Sequence, residues 1–163
     1  MPAAHQAALS KLPALTFLFW VMKIAATTLG ETAGDLLSMT LNVGYFVSTL
    51  ILMSGFAVVL VGQLRAKRYI PFLYWAVILA TSTAGTTTSD FMNRTLGLGY
   101  ATGSAILLST LVGVLVVWRL TEKTLSVTDV RSFRAEVFYW SAILVSNTLR
   151  SEEHTSELQS PCN

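Results

Sequence analysis

The sequence predicts an all-α fold, a polytopic transmembrane helical bundle of tandem two-helix repeats, from its charge content, its charge spacing and its self-similarity. Hydrophobic residues make up 53% of the 163-residue chain and charged residues 12%. That is about half the charged share of an ordinary soluble domain. No charge occurs between Asp35 and Arg65, between Arg68 and Asp90, or between Arg94 and Arg119. Each interval holds enough apolar residues to cross a hydrocarbon core of ~30 Å at ~1.5 Å per residue. A soluble core helix seldom needs such length, and three such intervals in succession call for lipid.

The third observation is an internal repeat, the first thing to seek in a chain of this kind. Aligning Trp20 with Trp75 sets an offset of 55 residues, and the matches continue without a gap. Phe17-Leu18-Phe19-Trp20 answers Phe72-Leu73-Tyr74-Trp75, and Thr27-Thr28-Leu29-Gly30 answers Ser82-Thr83-Ala84-Gly85. Asp35 answers Asp90, Thr40-Leu41 answers Thr95-Leu96, Gly44-Tyr45 answers Gly99-Tyr100, and Ser54 answers Ser109. A third copy opens at Val137-Phe138-Tyr139-Trp140, after a linker ten residues longer. There Asn147-Thr148-Leu149 matches Thr27-Thr28-Leu29, but Arg150 stands where Gly30 and Gly85 stand in the other copies.

The helices follow in order. Leu12–Gly34 is the first, with Lys11 before it; a cleaved signal peptide would show the same basic start and apolar run. Its match to the later Trp75 segment marks it instead as a retained helix. Thr40–Leu64 and Ile70–Ser89 follow, then Thr95–Trp118, then Glu136–Leu149, the last cut short. The chain thus divides into an N-terminus (1–11), repeat 1 (12–66), repeat 2 (67–121), a linker with a truncated repeat 3 (122–149) and a tail (150–163). The tail, Arg-Ser-Glu-Glu-His-Thr-Ser-Glu-Leu-Gln-Ser onward, resembles the translation of a common sequencing adapter, and it begins where the repeat breaks. It is read as non-native, and His154 and the single cysteine, Cys162, are excluded with it. The rest of the chain therefore has no disulfide framework, thiol nucleophile or cysteine metal site.

Charge sets the topology. Arg65-Ala66-Lys67-Arg68 and the Arg119–Arg134 stretch carry most of the Lys and Arg, whereas Asp35–Met39 and Asp90–Arg94 are short connections with one Asp each. The positive-inside rule places the basic loops and the N-terminus in the cytoplasm. The aromatic clusters then lie at the cytoplasmic ends of the odd-numbered helices. Trp20, Trp75 and Trp140 there suit interfacial anchoring, and their identical phase also suits a packing wedge between repeats. With an even number of helices per repeat, successive repeats share one orientation and are related by an axis near the membrane normal.

These residues resemble a family of uncharacterised bacterial membrane-anchored proteins built from tandem two-transmembrane-helix repeats, each with a tryptophan. The resemblance covers Leu12–Leu149 and implies four repeats in the whole protein, a bacterial inner-membrane location, and no assigned activity.

Polar residues in the outer half of the odd helices carry the functional expectation. Thr27, Thr28, Gly30, Glu31, Thr32, Gly34 and Asp35 parallel Ser82, Thr83, Gly85, Thr86, Thr87, Ser89 and Asp90. Gly30 with Gly34, and Gly85 with Ser89, form small-xxx-small pairs that let helix backbones approach while hydroxyls hydrogen-bond across the contact. The same residues could instead line a polar pathway or an unwound solute site. Lys23 lies roughly 16 Å along its helix, where Ile78 and Ile143 stand in the other copies, and it shares a stripe with Thr27, Gly30, Glu31 and Gly34. An intramembrane charge points to function by default, a buried ion pair being the structural alternative. The candidate solute-binding set is Lys23, Thr27, Glu31, Asp35, Thr83, Thr87 and Asp90, with Glu31 or a bound anion as counter-charge to Lys23.

No catalytic motif is present: neither His-Glu-x-x-His, Gly-x-Ser-x-Gly nor a P-loop occurs. No catalytic residue, metal or cofactor is expected. The net charge of +2 gives no nucleic-acid surface. The expected partners are the bilayer, a small polar or ionic solute and further copies of the chain, and the expected role is a permease-like transporter or else a membrane scaffold. Resequencing the source DNA past Leu149 should reveal glycine, a further acidic or hydroxyl position about where Asp35 and Asp90 fall, and another helix hairpin. A genomic reading of Ser-Glu-Glu-His-Thr near that junction would overturn the non-native tail.

Overall fold

The computed structural model describes residues 16–37, 44–66, 68–122 and 132–159, with side chains to Glu153. Five α-helices make up the fold: α1 Phe17–Asp35, α2 Tyr45–Arg65, α3 Pro71–Asp90, α4 Tyr100–Glu122 and α5 Phe133–Gln159. No strand occurs among the described residues.

Local chemistry sets the helix starts. The Thr16 hydroxyl accepts the Phe19 N–H at 3.2 Å and caps α1. Pro71 opens α3, where its missing N–H is no loss. The Ser132 hydroxyl accepts the Ala135 N–H at 3.0 Å and caps α5. Gly44 and Gly99, equivalent by the repeat, precede α2 and α4 with φ of 86° and 73°. That left-handed conformation suits glycine and turns the chain into each even helix.

Several boundaries differ from the sequence reading, the second helix beginning at Tyr45, after Gly44, rather than at Thr40. The Asp90–Arg94 connection is helical: α3 runs into a π-helical turn, Phe91–Thr95, closed by the Leu96 N–H on the Phe91 carbonyl at 3.1 Å. The widened turn keeps backbone groups paired at a helix end that is still partly covered. In consequence α4 begins at Tyr100 rather than Thr95. The last helix does not stop at Leu149 but continues to Gln159, because nothing in Arg150-Ser151-Glu152-Glu153 breaks a helix. The expected Leu12 start, the Asp35–Met39 connection and the 122–131 linker lie wholly or partly outside the described residues.

Helix α3 is the centre. It packs against α1, α2 and α5, while α4 packs against α5. The two helices of one repeat barely meet among the described residues; each even helix lies instead against the odd helix that follows it. The core gathers Phe56, Tyr74, Val77, Ile78, Ala84 and Trp140. Over Thr81–Thr87 every residue of α3 is buried, although most are hydroxyl or small.

The even helices are the reverse. Both α2 and α4 are long and apolar enough to cross a membrane, and both are mostly exposed. Exposed apolar helices flanking a buried polar one suit surroundings of lipid rather than water.

The odd helices meet through glycine. A Cβ on Gly30 would lie 2.6 Å from the Ser82 Cβ and 2.9 Å from the Leu79 carbonyl. A Cβ on Gly85 would lie 3.0 Å from the Thr148 N and 3.2 Å from the Asn147 carbonyl carbon. Ser82 and Asn147 are equivalent positions, so one contact is used twice, α1 to α3 and then α3 to α5. Gly30→Ala should therefore destabilise the protein by about 1–3 kcal/mol. Gly55→Ala, where nothing lies within 4 Å, should be neutral or slightly stabilising. Denaturation in mixed micelles followed by circular dichroism checks both; equal effects would show that the glycine contact does not limit the packing.

Candidate functional site

The hydroxyl stripe satisfies itself. Thr27 donates to the Lys23 carbonyl at 2.9 Å, Thr83 to Leu79 at 2.8 Å, and Thr87 to Ala84 at 3.2 Å. Each bond returns to the preceding turn of its own helix, as buried Ser and Thr do in apolar surroundings. Other bonds cross between helices. Ser82 donates to the Thr27 carbonyl at 2.9 Å, Asn147 to the Thr81 hydroxyl at 3.1 Å, and Thr49 to the Thr87 carbonyl at 2.8 Å. Residues 27, 82 and 147 are equivalent, so the first two bonds join neighbouring repeats at corresponding heights.

The charged candidates are dispersed. Glu31 pairs with Arg150 and not with Lys23. Eight residues separate Lys23 from Glu31, about 12 Å of helical rise, too far for direct pairing. Asp35 is exposed at the end of α1. Asp90, placed by the sequence in a short connection, is buried, 5% exposed, and pairs with Arg94 at 3.5 Å one helical turn on. Thr83 and Thr87 lie in the α3 core.

Lys23 alone faces open space. Its side chain makes no hydrogen bond or ion pair among the described residues. It lines a cleft of about 360 Å³ with Tyr139, Ala142, Ile143, Ser146 and Asn147 of α5 and Leu111, Leu115 and Trp118 of α4. One cation, a phenol, a hydroxyl and an amide thus converge on a wall of leucine and tryptophan.

The lining is itself a repeat. Shifted back one copy, its α4 residues become Phe56, Leu60 and Gln63, and its α5 residues become Tyr74, Val77, Ile78, Thr81 and Ser82. That earlier set borders the core that Trp140 fills. The cleft is the second instance of a groove whose first instance holds a helix.

Aromatic rings follow the same rule. Phe19 meets Trp75 with centroids 5.7 Å apart, and Tyr74 meets Trp140 at 5.6 Å. The Tyr74 hydroxyl also meets that of Tyr139, its own equivalent, in a hydrogen bond. Trp140 is 1% exposed, Trp75 half-buried and Trp20 56% exposed. The tryptophans are therefore wedges between repeats wherever a preceding repeat exists to receive them. Sequence periodicity finds their phase, but not which of them is covered.

One buried group lies in the tail that the sequence reading sets aside as non-native. Glu152 is fully buried; its Oε2 accepts Ser89 Oγ at 2.5 Å and Asn93 Nδ2 at 2.6 Å, while Oε1 has no partner. It stands at the position of Thr32 and Thr87, and its carboxylate occupies the space a side chain on Gly103 would need. The fully buried Ser48 and Gln63 were missed too; a polar residue on an otherwise apolar helix was the available signal.

The fold and this arrangement define a tandem-repeat helical bundle with membrane-compatible outer helices. The family model described as a Repeat of Unknown Function (DUF347) matches the chain twice, over residues 18–69 and 73–124. These matches cover well over half of the sequence, and the chain belongs to that repeat family. Comparison with curated proteins and with solved structures returns no match.

Glu152→Thr restores the residue type of the other two copies and removes a half-satisfied buried carboxylate. It should raise stability by about 1–3 kcal/mol, read as a higher unfolding midpoint in detergent. A lower midpoint would show that the Ser89–Asn93–Glu152 bonds outweigh the unpaired oxygen.

Proposed function

We propose that this protein is a multi-pass protein of the bacterial inner membrane, its N-terminus cytoplasmic, that acts as a permease for a small polar or ionic solute. The observation that carries the proposal is Lys23. A charge near the bilayer centre costs on the order of 3 kcal/mol by insertion scales, and Ile78 and Ile143 show that an apolar residue serves the same position. Something must offset that cost. Glu31, the nearest carboxylate on the same stripe, lies about 12 Å of helical rise away, too far for direct pairing. An anionic group of the solute, held by Lys23 with Asn147 and Ser146 beside it, is the remaining counter-charge.

The hydroxyl stripe has no part in this reading. Its donors are occupied by backbone carbonyls and its glycines by helix contact, which is packing chemistry. Of the candidate residues, Lys23 is the one that faces the cleft.

Lys23→Ile in the complete protein should leave folding and expression intact while abolishing flux of small organic and inorganic anions into proteoliposomes. Undiminished flux would remove Lys23 from the mechanism. A complete protein that moves no solute across a broad panel would favour the alternative role, a membrane scaffold or assembly subunit.

A further inference from the structure

The linker between α2 and α3 concentrates charge in a way that its counterpart in the next repeat does not. Arg65, Lys67 and Arg68 stand within four residues, and no Asp or Glu occurs between Asp35 and Asp90. The 55-residue offset places Leu120, Glu122 and Lys123 at the same three positions, where one acid and one base cancel. Orientation by the positive-inside rule asks only for an excess of Lys and Arg in cytoplasmic loops. It does not require three cations together with no acid among them. Arg65 and Arg68 are exposed, and their side chains have no hydrogen bond or ion pair among the described residues.

The surface beneath these cations is apolar. Ile51, Val58 and Val61 are exposed and share one face of α2 with Arg65, at spacings of seven, three and four residues. From Ile51 to Arg65 the strip rises about 21 Å, enough for the acyl chains of one leaflet of a ~30 Å hydrocarbon core. Across the linker Ile70 and Phe72 are exposed, and Trp75, one turn after Phe72, is half-buried. Tyr69 stands between, half-buried, its ring against Tyr74 at 5.9 Å, a placement that suits a phenol at a membrane interface. Cations at the end of an exposed apolar strip match a molecule with an anionic head and long apolar tails. A free inorganic anion would use the charges and leave the strip without a role.

We propose that the linker between α2 and α3 binds an anionic phospholipid of the phosphatidylglycerol class. Its phosphate is held by Arg65 and Arg68, and its acyl chains lie along α2 and the start of α3. Guanidinium suits this task, because its planar fork pairs with two phosphate oxygens at once. The inference rests on the reading of this chain as a membrane protein and does not depend on solute transport. It also accounts for the difference between the two linkers. Leu120, at the position of Arg65, is exposed and offers a phosphate nothing, so the site belongs to the first linker and not to its counterpart.

Bromine on an acyl chain quenches a tryptophan that it touches, which makes Trp75 the reporter. Trp118 and Trp140 are buried, and Trp20→Phe removes the other exposed indole. The full chain carrying Trp20→Phe is reconstituted in phosphatidylcholine vesicles in which a minor share of lipid is brominated, either as phosphatidylglycerol or as phosphatidylcholine. The phosphatidylglycerol should be preferred about fivefold for each arginine engaged, the factor that one cation near a membrane surface supplies. Arg65→Gln with Arg68→Gln should bring the preference close to one, and Arg65→Lys with Arg68→Lys should keep most of it. Both positions are exposed, so these changes leave the fold in place, as circular dichroism can verify. Lys123→Gln with Arg134→Gln removes the same charge from the Arg119–Arg134 stretch and should change the preference little. Equal quenching by the two lipids would overturn the site. So would an equal loss of preference in the Lys123 and Arg134 variant, which marks a diffuse field and not a site. Absence of quenching by either lipid would overturn the membrane reading itself, and the proposal with it.

Discussion

The approach of α3 to α1, with no room for a side chain on Gly30, fixes the geometry on which the other contacts depend. At that spacing the Ser82 hydroxyl reaches the Thr27 carbonyl and the Phe19 ring reaches Trp75. The same approach recurs at Gly85, and with it the Asn147 bond and the Tyr74–Trp140 contact. Small residues do this in a membrane because lipid tails are as apolar as leucine, so helices associate through close packing and hydrogen bonds rather than by escaping solvent. Replacing the glycine would displace a hydroxyl bond near the middle of the helix and an aromatic contact at its end together. Each inter-repeat joint is one unit.

That geometry divides labour between the helices. The odd ones carry the hydroxyl, glycine and charged residues and turn them inward; the even ones carry long apolar surfaces and face out. In a soluble bundle the distribution would be reversed. Here the buried polar groups cost little because most hydroxyls close onto a carbonyl one turn back, so α3 stays helical through seven successive buried small or hydroxyl residues. Lys23 departs from the pattern, which is why it, and not the more numerous threonines, carries the functional reading.

Much of this was legible in the residues. The offset between Trp20 and Trp75 defines the repeat, and Gly30 with Gly34 marks the contact face, since periodicity and small-residue spacing are local properties. Other features depend on partners distant in sequence. That Glu31 meets Arg150 rather than Lys23 follows from how α5 leans toward α1, which no spacing within α1 encodes. That Asp90 is buried follows from a π-helical turn where a short loop reads more naturally, because Phe-Met-Asn-Arg-Thr carries no strong signal for either. The cleft is recognisable as a repeated groove only once Trp140 fills its first instance, although the repeat offsets, 55 residues for α4 and 65 for α5, already pair the α4 and α5 residues of both sets.

The near absence of contact between α1 and α2, and between α3 and α4, among the described residues bears on how the chain is made. Membrane helices are delivered in order, and adjacent ones commonly insert as a hairpin. Here a newly inserted hairpin has almost nothing to hold its two members together. Helix α2 finds its surface only when α3 arrives, and α4 only when α5 does. In a chain inserted this way assembly would lag synthesis by one helix at every step, and a ribosome pausing after an even helix would leave that helix without a mate. The unit that evolution duplicated and the unit that folds are out of phase by one helix.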